Sequence, residues 1–176
     1  MAGNTVILDA CLVITFGNAE ALDTIAGLRL HHVAIACRAA GEVLWPPAAD
    51  QLAGRIADDS IHVEAIDIDV AAEQQALARF DASPRFRNRG DAEVLALAAT
   101  RGWIVGSDEV AIRRVAFEEF GAGRVAGTLD FLKWAVGERR LTLDQAVDLL
   151  RSLDVGPALL RRIAAAGQTP EGVLST

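Results

Sequence analysis

Thr5-Val6-Ile7-Leu8-Asp9-Ala10-Cys11-Leu12-Val13-Ile14 is the stretch on which the fold of this chain turns. Strand-forming residues run straight into a carboxylate, and a second apolar stretch follows. A run this short, with no alternation, suits a central parallel strand covered on both faces. Ligands of parallel sheets collect beyond the carboxyl ends of the strands, and Asp9 falls there. A second reading makes Asp9 the cap of the next helix. The local residues leave both open, and acidic residues in comparable places further along weigh for a site.

With 176 residues, 52% of them apolar and 23% charged, the chain is long enough for one domain with a substantial core and leaves little room for disorder. Its apolar runs are broken by Arg, Asp or Glu before they reach the roughly 20 residues that cross a bilayer. Met1-Ala2-Gly3-Asn4 carries no basic leader, so the expected location is the cytoplasm. Cys11 and Cys37 form no disulfide framework and read as small core residues. They and His31, His32 and His62 show no zinc-ligand spacing. The net charge of -7 excludes nucleic-acid binding by bulk charge. A polyanionic substrate would need a local basic patch, or divalent cations at an acidic site. A basic partner that covers the site is equally compatible.

Further along, helices are expected at 10–16 and 19–28, a strand at 33–36 and a helix at 37–44 stopped by Trp45-Pro46-Pro47. A helix at 48–57 precedes a strand at 61–68, with Asp69 capping a helix at 70–80. Asp81 to Gly90 is a polar loop holding Arg85, Phe86, Arg87 and Arg89. A nearly all-apolar helix at 91–99 follows, then a buried strand at 103–106, a helix at 110–120 and a short strand at 124–127. Thr128 is expected to cap a helix at 129–136, and Thr142-Leu143-Asp144-Gln145 matches a capping box for a helix at 146–153. Pro157 opens a helix at 158–166. Alternating short strands and helices predict an α/β three-layer sandwich with a mostly parallel central sheet. Residues 1–166 form a single domain, helices from about 142 packing on it, and 167–176 fray.

Asp9 and Asp108 end strands, and Asp91 opens the helix before the second of them, so all three map to one edge of a parallel sheet. Gathering carboxylates is costly because like charges raise each other's pKa. Hard cations make such a cluster tolerable: Mg²⁺ prefers oxygen and takes one or two carboxylates while keeping waters. Two such ions would activate water and stabilise the leaving oxygen of a phosphodiester.

Val6-Ile7-Leu8-Asp9-Ala10, Arg89-Gly90-Asp91-Ala92-Glu93-Val94-Leu95-Ala96-Leu97-Ala98 and Ile104-Val105-Gly106-Ser107-Asp108, in that order, resemble the PIN domain family. Its VapC-type branch comprises the toxin ribonucleases of bacterial toxin–antitoxin pairs. Arg113-Arg114-Val115-Ala116 and Val125-Ala126-Gly127-Thr128-Leu129 extend the likeness, which spans roughly residues 5 to 155. The resemblance implies a metal-dependent endonuclease acting on RNA, with Asp9, Glu42, Asp91 and Asp108 as its acidic quartet. Asp9, Asp91 and Asp108 would hold Mg²⁺ or Mn²⁺, and Glu42 would hold or orient the attacking water. An antitoxin protein or a second copy of the chain would be the partner.

Two departures stand out: Cys11 where the family often has a small hydroxyl residue, and Asp91 where it often has Glu. Glu109 directly follows the strand end and is placed to reach a second ion, whereas Glu93 should turn away from Asp91, about 200° round the helix. Arg85, Arg87 and Arg89 with Phe86 have the make-up of a single-strand platform, and equally of a solvated loop. Arg113 and Arg114 follow the site helix and could meet phosphate or balance Glu118 and Glu119. A non-catalytic binding module of the same fold is the alternative. A phosphotransfer domain using Asp9 as nucleophile is disfavoured: no second Asp lies two residues on, and Lys133 is the only lysine.

Overall fold

Val6, Ile7 and Leu8 have no exposed surface because they run through the middle of the sheet. In the computed structural model, which describes residues 4–84 and 89–175, β1 (Asn4–Leu8) lies between β2 (His31–Ala36) and β4 (Ile104–Gly106). The edges are β3 (His62–Glu64) and β5 (Val125–Ala126), giving the order β3-β2-β1-β4-β5, all parallel. Val6 pairs with Val33 and with Ile104, and Leu8 with Ile35 and with Gly106. Helices flank this sheet in an α/β architecture. The order reverses beside β1, and crevices beyond the strand ends at such a switch point are the usual ligand sites.

The helices are α1 (Ala10–Asn18), α2 (Asp23–Ala26), α3 (Cys37–Ala40), α4 (Ala48–Ala57), α5 (Ala71–Asp81), α6 (Arg89–Arg101), α7 (Val110–Phe120), α8 (Thr128–Gly137), α9 (Leu143–Ser152), α10 (Gly156–Ala165) and α11 (Pro170–Leu174). A 3₁₀ turn, Ala122–Arg124, leads into β5. α6 packs against α5, α3 and α7 as well as the sheet, which is why Val94 to Ala98 are all fully buried. α1 packs on α4, and its Phe16 ring meets Phe131 of α8 edge-on at 6.4 Å. The capping box at Thr142 is present: Gln145 N–H donates to Thr142 Oγ1 at 3.2 Å, and Thr142 N–H to Gln145 Oε1 at 2.8 Å. Among the described residues no helix is long and apolar enough to cross a membrane.

Several expected elements are shorter. The helix expected at 19–28 is broken by Glu20, whose φ of 54° turns the chain, and only the single turn of α2 survives. The helix expected at 37–44 ends at Ala40; Glu42 and Val43 donate instead in i→i+3 turns to Ala39 and Ala40. Those turns leave Glu42 at the sheet edge rather than carrying it round a further helical turn. Beyond β3 the strand expected to reach 68 is cut short, and the Ala65 carbonyl accepts from Arg101 at 3.0 Å. Val70, not Asp69, occupies the cap position of α5. Thr128 is the first residue of α8, with Gly127 at the cap. The tail expected to fray instead forms α11: Thr169 Oγ1 accepts from Gly172 N–H at 3.1 Å, Pro170 opens the helix and Leu174 is buried. Two apolar residues sufficed there, too few to register as periodicity.

Candidate functional site

Asp9 follows the last β1 residue, and its N–H extends the ladder by one bond to the Gly106 carbonyl at 2.9 Å. That register brings Asp9 alongside Ser107, the residue after β4. Ser107 is fully buried; its hydroxyl donates to Asp9 Oδ2 at 3.0 Å and accepts from Glu109 N–H at 3.0 Å. One hydroxyl thus aims the first carboxylate and sets the backbone that carries Glu109. Asp9 itself makes no side-chain capping bond to α1, so of its two readings the cap is not realised.

Asp91, in the first turn of α6, is 3% exposed. Burial, and then the charges of Asp9, Glu109 and Glu42, push its carboxyl up to about 7. The helix dipole favours an anion there by about 0.3–1 kcal/mol, too little to offset burial among three like charges. Glu42 is raised by burial and then by Asp9, with Glu109 adding to it, against a lowering hydrogen bond from the Gly90 backbone. A Cβ at position 90 would lie 2.6 Å from Glu42 Oε1, so glycine there lets Glu42 rest on the start of α6. Asp9, Glu42, Asp91 and Glu109 therefore share one electrostatic neighbourhood at the carboxyl edge of the sheet.

Asp108 takes a different direction. Its Oδ1 accepts from Thr128 N–H at 3.0 Å and its Oδ2 from the Thr128 hydroxyl at 2.5 Å. It ties β4 to the start of α8, across Gly127, where a Cβ would fall 2.6 Å from Asp108 Oδ1. Successive residues leaving a strand face opposite ways, so when Asp108 turns to α8 its neighbour Glu109 is the one that acts on Asp91 and Glu42. Glu93 does turn away: its Oε2 accepts from Arg38 N–H of α3 at 2.7 Å.

Cys11 Sγ lies 3.4 Å from Ser107 Oγ and accepts from Asp108 N–H at 3.4 Å. Burial, then Asp9, pushes the thiol up to about 12, which disfavours the thiolate. Arg113 donates to the Ser107 carbonyl at 3.0 Å and clamps the strand end. Arg114 pairs with Glu118 at 2.9 Å, and Glu119 pairs with Arg79 at 3.1 Å. Arg89, the first residue of α6, is exposed. Arg85 and Arg87, with Phe86, lie outside the described residues.

The charges that shift Asp91 are all carboxylates, a donor set suited to a hard divalent cation. Among the described residues no group of three or more His, Cys, Asp or Glu side chains is placed to hold a metal ion. Mg²⁺, which keeps several waters, needs only one or two carboxylates. Ser107 was given no role from the sequence and Thr128 only that of a helix cap; a hydroxyl directly after a buried strand and before two acids was the signal for the first. Compared with protein-family models, curated proteins and solved structures, the chain matches none.

Proposed function

We propose that the chain is a PIN-type, Mg²⁺- or Mn²⁺-dependent endoribonuclease that hydrolyses RNA phosphodiester bonds, restrained in the cell as the toxin of a toxin–antitoxin pair. The observation that carries this is the convergence of Asp9, Glu42, Asp91 and Glu109, with Asp91 pushed up to about 7 by burial and like charge. Among the described residues no cationic side chain is among the groups that shift Asp91, and positive charge supplied from outside would relieve the cluster.

Asp9, held by Ser107, and Asp91 would hold the cation, with Glu109 in the same electrostatic neighbourhood. A bound dication supplies two things: a lowered pKa for water, and compensation of the charge that develops on the leaving oxygen. Glu42, its carboxyl raised by burial and then by Asp9 and resting on Gly90, is the group fitted to take a proton from the attacking water. Arg113 keeps the end of β4 in register. Asp108 acts as a positioning residue through Thr128. The acidic rim suits an antitoxin segment bearing a cation, which would neutralise the cluster as the metal does.

The non-catalytic module is the second reading, favoured by Cys11, which stands where a hydroxyl would add a donor near the cation. Calorimetric titration with Mn²⁺ and cleavage of single-stranded or structured RNA separate the two. The nuclease reading expects binding at low millimolar Mn²⁺ and cleavage that is lost in Asp9→Asn and in excess chelator. Full activity in that variant, or in chelator, refutes it. Neither binding nor cleavage leaves the module.

A further inference from the structure

We propose that the cleft between α7, α8 and α10 is the groove for the single-stranded RNA flank that leaves the acidic cluster. The inference rests on the ribonuclease reading and extends it to the path of the substrate. The cleft encloses about 890 Å³ and begins at Asp108 and Val110, the residues on either side of Glu109. A second, shallower depression runs from Glu109 over Val110 to Arg114, and both of the latter also line the cleft. The two depressions thus adjoin at Val110 and Arg114, and the second includes Glu109 of the acidic cluster.

Along this path the outer face of α7 carries Val110, Arg113, Arg114 and Phe117, spaced at i, i+3, i+4 and i+7 and hence on one side of the helix. Val110 is 79% and Phe117 57% exposed, so a large aliphatic and a ring are held in water about 10 Å apart along the axis. Across from them stand Lys133 of α8, the only lysine in the chain, and Arg162 of α10. Four cations thus line one cleft of a protein whose net charge is -7.

The two acids of the cleft are already engaged. Asp108 accepts from Thr128, and Asp130 Oδ2 accepts from Gly127 N–H at 2.8 Å. Arg113 is held by the Ser107 carbonyl and Arg114 by Glu118, so the cleft offers a ligand Lys133, Arg162 and the exposed Phe117 ring beside a largely apolar wall. Sequence-tolerant single-strand grooves use these components, cations for the backbone and an aromatic for a stacked base. An acidic peptide would also satisfy the charge, but adjacency to the acidic cluster favours the strand on which that cluster acts.

The test is fluorescence anisotropy with a labelled, mixed-sequence single-stranded RNA 12-mer, in EDTA, on the full chain carrying Asp91→Asn so that no cleavage intervenes. In that background Arg162→Glu should weaken binding about tenfold or more at low salt. It should also reduce the slope of log K against log salt by about 0.7, the loss of one phosphate contact. Phe117→Ala should weaken binding about fivefold or more, through lost stacking. Both side chains are exposed, so the fold is not at stake. Arg151→Glu, the same charge reversal on α9, should change binding less than twofold. Unchanged binding in Arg162→Glu and Phe117→Ala overturns the groove, while Mn²⁺-dependent cleavage by the wild type would still uphold the ribonuclease reading. If those variants alter self-association in sedimentation instead, the cleft is a protein surface and the inference fails. If the wild type neither binds Mn²⁺ nor cleaves RNA, the parent reading falls first.

Discussion

Asp91 is a carboxylate that the fold buries among like charges at a cost in stability. In an unfolded chain its carboxyl ionises near pH 4, and in the fold near 7. Below pH 4 both states are protonated and the group contributes nothing. Between pH 4 and 7 the unfolded chain releases the proton first, so stability declines as pH rises and the full penalty remains above 7. At about 1.4 kcal/mol per pKa unit the penalty is a few kcal/mol. Asp91→Asn should therefore be more stable than the wild type at pH 8 and equal to it at pH 4, as urea unfolding at the two pH values will show. The adjacent acids Asp108 and Glu109 should differ from each other. Asp108→Asn weakens the bonds to Thr128 and should cost about 1–3 kcal/mol of stability. Glu109→Gln removes one of the charges that raise Asp91 and should cost less stability than Asp108→Asn while abolishing Mn²⁺-dependent cleavage. Equal loss of stability in both would contradict this division of roles.

At the scale of elements, two contacts far from the site decide how the layers meet. Gly17 of α1 faces Ala48 of α4, and a Cβ there would lie 2.6 Å from Ala48 Cα. Alanine gains about 0.5–1 kcal/mol in a helix over glycine. A clash with backbone that cannot rotate aside costs about 1–3 kcal/mol, so Gly17→Ala should lower the melting temperature. Arg101, at the end of α6, binds Glu73 of α5 at 2.7 Å and Glu64 of β3 at 2.6 Å, and its guanidinium lies 4.9 Å from the Trp103 ring. Glu73 is buried, and its bond to Arg101 holds its carboxyl below the usual range. Removing the cation strands a buried charge, so Arg101→Ala should cost about 3–5 kcal/mol at pH 7. Adding Glu73→Gln to that variant should recover part of the loss in chemical denaturation. The bounds of α4 and α7 were legible in advance because apolar periodicity and prolines are local. The early end of α3 was not, since Val43 and Leu44 prolong the apolar pattern past Ala40, where the backbone already turns back on Ala39 and Ala40.

Across the whole molecule, the acidic cluster and the net charge of -7 bear on the same equilibrium. A dication that binds only the folded chain stabilises it by about 2.7 kcal/mol at one hundred times its Kd. Mn²⁺ should raise the melting temperature of the wild type at pH 7.5 and release protons on binding, because Asp91 must ionise to ligate. Asp91→Asn should lose most of that rise. An equal rise in the variant would mean that Mn²⁺ acts elsewhere on the acidic surface. The C-terminal helices add a second dependence: α9 and α11 pack together, and α10 supplies one wall of the cleft beside α7.

By itself the sequence determined the parallel sheet, because a strand buried on both faces must be apolar without alternation, as Val6-Ile7-Leu8 is. It also determined that Asp9 and Asp91 lie at the carboxyl edge, since position in a β–α unit follows from local order. Tertiary structure alone decided which of Asp108 and Glu109 joins them. That choice depends on Thr128, twenty residues downstream, which takes up the Asp108 carboxylate, and on Ser107, which sets the backbone of Glu109. The direction of a polar side chain is set by the partner that meets it. Here those partners arrive from β5 and α8, beyond the reach of any local pattern.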